Sequence, residues 1–128
     1  MSGLSEEQSK RVVALAMDMA RQGQTEELLE FLDHGLPVNV QDEEGNSLLM
    51  LAAYHGHTAT VTALVEHGAD VDLRNVRDQS PVAGALFKGE DGVVTALVEA
   101  GADLDAGTPS ARATAEMFGR GELLPDGG

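Results

Sequence analysis

One period runs through this chain: residues 33 apart repeat in kind. Gly35, Gly68 and Gly101 form one column, in the contexts HGLPVNV, HGADVDL and AGADLDA, and Gly23, Gly56 and Gly89 form a second. Three further columns are apolar: Leu32, Val65 and Val98; Leu28, Val61 and Val94; Ala20, Ala53 and Leu86. Agreement of this kind at a fixed spacing marks a chain built from one supersecondary unit that stacks on copies of itself.

The stretch Asn46 to Asn75 shows the unit most completely. Ser47 stands at a helix N-cap position ahead of the apolar run Leu48 to Ala53, and Gly56 breaks that helix after about two turns. A second helix carries Val61, Leu64 and Val65 on one face. Gly68 then follows, a residue type that enters the left-handed region beyond a helix end without strain. Two short helices with one apolar side each cannot make a core alone, so the units must pack side by side.

These residues resemble the ankyrin-repeat family. The central unit matches its pattern from the turn glycine Gly45 through Leu51 to His57 (LAAYHGH) and His67 to Asp72 (HGADVD). The next unit keeps Ser80-Pro81 where the family has Thr-Pro, and ends in AGADLD. The likeness covers about residues 12 to 120 and departs in places. Leu48 stands for the usual proline, Met50 and Ala83 for the usual histidine, and Gly84 to Phe87 for the Leu-Ala-Ala run. In the family that histidine braces the loop between units, so looser loops are expected here. The resemblance implies an all-α solenoid of stacked helix–turn–helix units with helical caps at both ends, in a small stand-alone protein. The expected division is an N-cap unit at 5–41, repeats at 42–74 and 75–107, a C-cap at 108–121 and a flexible tail at 122–128.

The two ends fit caps. Ser5 to Gln8 has capping-box spacing and opens a helix carrying Val12, Val13, Leu15, Ala16, Met19 and Ala20, with charged residues on its other faces. Thr25, Glu26 and Glu27 open its partner, with acids near the positive end of the helix dipole. Pro81 sits in the first turn of the next unit, where its missing amide has no helical partner. Asp91 is the expected cap of a helix from Gly92 to Ala100. Beyond Thr108 one helix, near Arg112 to Phe118, closes the far end through Ala115 and Phe118. Leu123 and Leu124 either belong to the free tail or fold back on that helix.

Composition narrows the function classes. The formal charge is −14, which disfavours nucleic acid as a partner because phosphates would be repelled. No apolar run approaches the roughly 18 residues of a membrane span, and no signal peptide is evident. Cysteine is absent, which removes disulfides and thiolate metal sites and accords with a cytoplasmic location. Arginine outnumbers lysine six to two, as in GC-rich bacterial genes.

Catalytic and metal chemistry find little footing. The acids lie in turns (Asp70, Asp72, Asp103 and Asp105) or at helix starts, where solvation and capping account for them. His34 and His67 recur one period apart, hence about 10 Å apart in a packed stack, too far to share a zinc ion with bonds near 2 Å. Gly84 to Gly89 has its lysine before the glycine and no following Lys-Ser/Thr pair, so it is no phosphate loop. The chain is expected to be no enzyme and to require no cofactor or metal.

The resemblance instead places function on a concave face and its loop tips, where the family generally holds partner proteins. Position by position, the tips are Glu43, Glu44, Asn46, Arg74, Val76, Arg77, Gln79 and, at the cap, Arg112. The helix positions are Arg21 and Gln22, Tyr54 and His55, Phe87 and Lys88, and Arg120. Of eight Lys and Arg residues six fall in this set, and Tyr54 and Phe87 share one column of it. Aromatic and arginine side chains dominate interface energies, because they bury much area with few flexible bonds. The expected function is that of an adaptor or regulator holding another protein, one with an acidic or mixed apolar patch. The alternative is a self-associating structural subunit; otherwise a monomer is expected.

Overall fold

The computed structural model describes residues 3–125. Among these are seven α-helices and one short 3-10 helix, with no strand beyond an isolated antiparallel bridge between Gln41 and Ser47. The helices are α1 (Glu6–Gln22), α2 (Thr25–Asp33), α3 (Leu48–Tyr54), α4 (Thr58–Glu66), α5 (Pro81–Lys88), α6 (Asp91–Glu99) and α7 (Ala111–Met117), followed by the 3-10 turn Gly121–Leu123. They pack in two rows. In one row α1, α3, α5 and α7 each contact the next; behind it α2, α4 and α6 do the same. The helices α1, α3 and α5 also pack on their own partners, so every helix pair is closed by its neighbours.

The periodic columns take the same place in every pair. Leu28, Val61 and Val94 have no exposed surface, and Ala20, Ala53 and Leu86 are buried to within 2 %. Small side chains in the first row let the helices approach closely, and the column of Leu28, Val61 and Val94 fills the space between the rows. Burying each Val or Leu side chain contributes about 1.5–3 kcal/mol, offset by the entropy of ordering the chain. Gly23, Gly56 and Gly89 adopt φ of 71°, 77° and 74°, and Gly35, Gly68 and Gly101 adopt 104°, 89° and 89°. The repeat in sequence is thus a repeat in backbone conformation.

Serines start the first-row helices. Ser5 and Gln8 form the reciprocal capping box at 3.1 and 2.9 Å. Ser47, Ser80 and Ser110 accept the amides of Met50, Ala83 and Ala113 at 3.0, 3.2 and 3.1 Å. By contrast α6 begins at Asp91 after Glu90, with no side-chain cap bond, one residue ahead of the sequence-based expectation. The buried face of α1 also differs from that expectation: Leu15 is 53 % exposed, whereas Met17 is buried. At 100° per residue Met17 falls in line with Ala16 and Ala20 toward α3, and Leu15 points to the far side.

At the C-terminal end Leu123 and Leu124 fold back. Leu124 is only 9 % exposed and joins the same core as α7, with Leu123 packed against it. Residues 126–128 of the expected tail lie outside the described residues. Ala115 closes the core as anticipated, but Phe118 remains 49 % exposed.

The loops between pairs are tied by polar groups other than the family's histidine, whose places are taken by the buried Met50 and Ala83. Gln41 Nε2 donates to the carbonyls of Gly45 and Arg74 at 2.7 and 3.2 Å. The Val76 amide donates to the Glu44 carbonyl at 3.0 Å, and Asn75 Nδ2 donates to Asn46 Oδ1 at 3.0 Å. Farther along, Asn39 Oδ1 accepts the Asp70 amide at 2.8 Å and Asp72 Oδ1 accepts the Asp103 amide at 2.7 Å. Gly45 sits at φ 77° inside this lattice, and a Cβ there would stand 2.8 Å from the Val76 nitrogen. Gly45→Ala is therefore expected to destabilise the fold by about 2 kcal/mol in urea denaturation. Ser80→Ala, which removes only a cap, is expected to remove about 1 kcal/mol.

Candidate interaction surface

The open side of the first row and the adjoining loop tips carry the residues singled out from sequence. Tyr54, at the end of α3, is half-buried; its ring meets His55 edge-on at 5.7 Å, and Lys88 Nζ lies 5.0 Å from its centroid. Phe87, at the end of α5, is 60 % exposed and meets Phe118 edge-on at 5.8 Å. Each ring is thus paired with a residue other than its column mate: Tyr54 with His55 and Lys88, Phe87 with Phe118. Phe118 and the exposed Met117 extend the apolar surface of Phe87. Neither was expected here, because Phe118 lies 31 residues after Phe87 and so falls out of the 33-residue register.

The cations are less free than their number suggests. Arg21 binds Asp18 at 2.8 Å and stands 3.9 Å from Asp42. Arg74 pairs with Asp78 at 3.1 Å, and Arg112 pairs with Asp105 at 3.2 Å while donating to the Pro125 carbonyl at 2.9 Å. Arg120 turns away toward the start of α6, where it pairs with Asp91 and leaves its buried Nε without a partner. Among the described residues only Arg77 and Lys88, of the six expected cations, have no carboxylate partner. Exposed pairs of this kind contribute little to stability, about 0–1 kcal/mol each, but they neutralise charge that a partner would otherwise meet.

The loop tips are ordered by their own side chains. Asn75 Oδ1 accepts the amides of Arg77 and Gln79 at 3.0 Å each, and its Nδ2 donates to Gln79 Oε1 at 2.7 Å. Asp42 Oδ1 accepts the amides of Glu44 and Asn46 at 2.9 Å each. Val76 is 73 % exposed at the apex of its tip. Gln22, Glu43, Glu44, Arg77 and Gln79 are exposed as well. Between α1 and the tip at 41–44 runs a groove of about 690 Å³. A second cavity of about 730 Å³ lies toward α2, lined by Leu4, Val12, Phe31 and Leu36.

The histidines serve the scaffold. His57 Nε2 bonds the Arg21 carbonyl at 2.7 Å and so must carry the proton, tying α4 to the pair before it. His34 and His67 likewise donate from Nδ1 to the carbonyls of Glu30 and Ala63, four residues back. Among the described residues no three His, Asp or Glu side chains stand close enough to hold a metal ion.

A family model described as ankyrin repeats, three copies, matches residues 16–108. The chain belongs to the ankyrin-repeat family. It is 43% identical over 47 residues to a putative ankyrin repeat protein of Pseudomonas aeruginosa, a match covering 37% of this chain and 28% of that protein. Its fold is similar to that of the human ASB11 ankyrin repeat domain, with a TM-score of 0.74 and 29% identity. That match covers 85% of this chain and 50% of the solved one. Ankyrin repeats are generally protein-interaction modules and generally not enzymes. No helix among the described residues is long and apolar enough to cross a membrane.

His55 reports on the electrostatics of this face. Its pKa is lowered from 6.5 by partial desolvation, then by His57, Arg21 and Lys88, with Glu90 opposing them. Because the folded value lies below the unfolded one, the contribution of His55 to stability is present above pH 6.5 and is lost as pH falls through the folded value. Arg21→Gln is expected to move the His55 midpoint up toward 6.5 in an NMR titration. A midpoint that stays put or falls would contradict this account of the field.

Proposed function

We propose that this chain is a non-enzymatic adaptor or regulator that holds a partner protein on its concave face and loop tips. The observation that carries this reading is Phe87, a large aromatic side chain 60 % exposed on the first row. With Phe118 edge-on beside it, and with Tyr54 and Lys88 close by, it forms an anchor of the composition found at interface hot spots. Around it the loop tips are braced by hydrogen bonds, so a partner meets a preorganised surface and loses little free energy in ordering it. A face of so few units buries roughly the standard interface area or less, which suits micromolar to nanomolar binding.

The alternative is a self-associating subunit whose exposed cap or Leu123-Leu124 tail joins copies; the packing of Leu124 into the chain's own core weakens the tail route alone. Affinity capture from the native lysate, followed by titration of the captured protein, tests the proposal. The double variant Tyr54→Ala/Phe87→Ala is expected to bind at least about tenfold more weakly, with unchanged helical circular dichroism. Undiminished binding would remove the concave face from the account.

A further inference from the structure

Granted that the concave face holds a partner protein, on which this inference rests, the chemistry of its grooves decides what kind of chain it receives. The groove between α1 and the loop tip at 41–44 has an apolar floor, formed by Val13, Ala14 and Met17. Its rim carries five carboxylates and two cations. Arg21, one of those cations, is already bound by Asp18 at 2.8 Å. Asp42 is occupied in shaping its own loop through two backbone amides. This leaves Glu6, Glu43 and Glu44 exposed at the two edges, with Lys10 the single cation among them lacking an ion-pair partner in the described residues.

The ion pairs offset most of the positive charge that residue counting places on the face. Counting alone makes the concave face a collector of arginines suited to an acidic partner. Four of the six are each paired with a carboxylate, and the lining of this groove, with five carboxylates against two cations, is net negative. The whole chain adds a net charge of −14, which draws cationic segments in and repels anionic ones.

We propose that this groove receives a segment of the partner protein in which an apolar side chain is flanked by lysine or arginine. The apolar side chain lies on Val13 and Ala14, and the flanking cations reach Glu6 on one edge and Glu43 and Glu44 on the other.

A fluorescein-labelled peptide of alternating leucine and arginine, and its counterpart with glutamate for arginine, test this by fluorescence anisotropy with the full chain. The arginine peptide is expected to bind, more weakly as salt rises, and the glutamate peptide to bind far less. Glu43→Gln/Glu44→Gln is expected to weaken the arginine peptide about tenfold. Glu26→Gln/Glu27→Gln on α2 removes the same charge from outside the groove and is expected to leave binding nearly unchanged. Equal loss from the two pairs would reduce the effect to attraction by net charge and overturn the proposal, as would equal binding of both peptides. The captured partner separates the two readings. If Tyr54→Ala/Phe87→Ala weakens it and Glu43→Gln/Glu44→Gln does not, the face stands and the groove assignment falls. If neither variant weakens it, the face itself is wrong.

Discussion

No helix pair in this chain can bury its own apolar side, and everything else in the structure depends on that. The cores of successive pairs are continuous: Leu28, Val61 and Val94 meet in one row of fully buried positions, and Ala20, Ala53 and Leu86 in another. Removing one pair would expose the faces of two others. The alanines matter as much as the larger residues, since a small side chain sets how closely the first-row helices approach. The ends of the stack meet the same constraint differently. At one end α1 is a long helix with its charged side outward; at the other α7 is short and Leu124 folds under it.

Apolar stacking alone would leave the loops free to turn relative to one another. Here they are coupled by hydrogen bonds that cross from one pair to the next, through Gln41, Asn75, Asp72 and Asn39. The second row has a link of its own, the 2.7 Å contact between the hydroxyls of Thr25 and Thr60. Thr60 is buried, so its hydroxyl needs that partner. Met50 and Ala83 bring no such bond where the family has histidine, and the amide side chains take over the task. The consequence for function is a set of loop tips held at fixed spacing beside the aromatic residues of the first row.

The scaffold was legible because stacking imposes a period on the sequence. A residue that must be small, apolar or left-handed in one unit must be so in the next. Hence the glycine columns, the buried columns and the caps Ser47 and Ser80 stand where the spacing places them. The surface carries no such constraint. The positions of Tyr54 and Phe87 followed from the family pattern, but their partners did not. Phe118 joins Phe87 because the last unit is shortened, which shifts its register away from the repeat. Leu15 and Met17 exchanged places for a simpler reason: both are apolar, and only the phase of α1 against α3 selects which is buried.

The sequence by itself determined the repeat, the two-row helical stack and the side on which loops and first-row helices end, since each is enforced by burial recurring at a constant interval. Only the tertiary structure decided the electrostatic character of that side. Arg112 and Arg120 find Asp105 and Asp91 across loops and helix ends, at separations in sequence that no single period relates. Charges on flexible side chains choose partners by distance in space, and that distance exists only once the units have stacked.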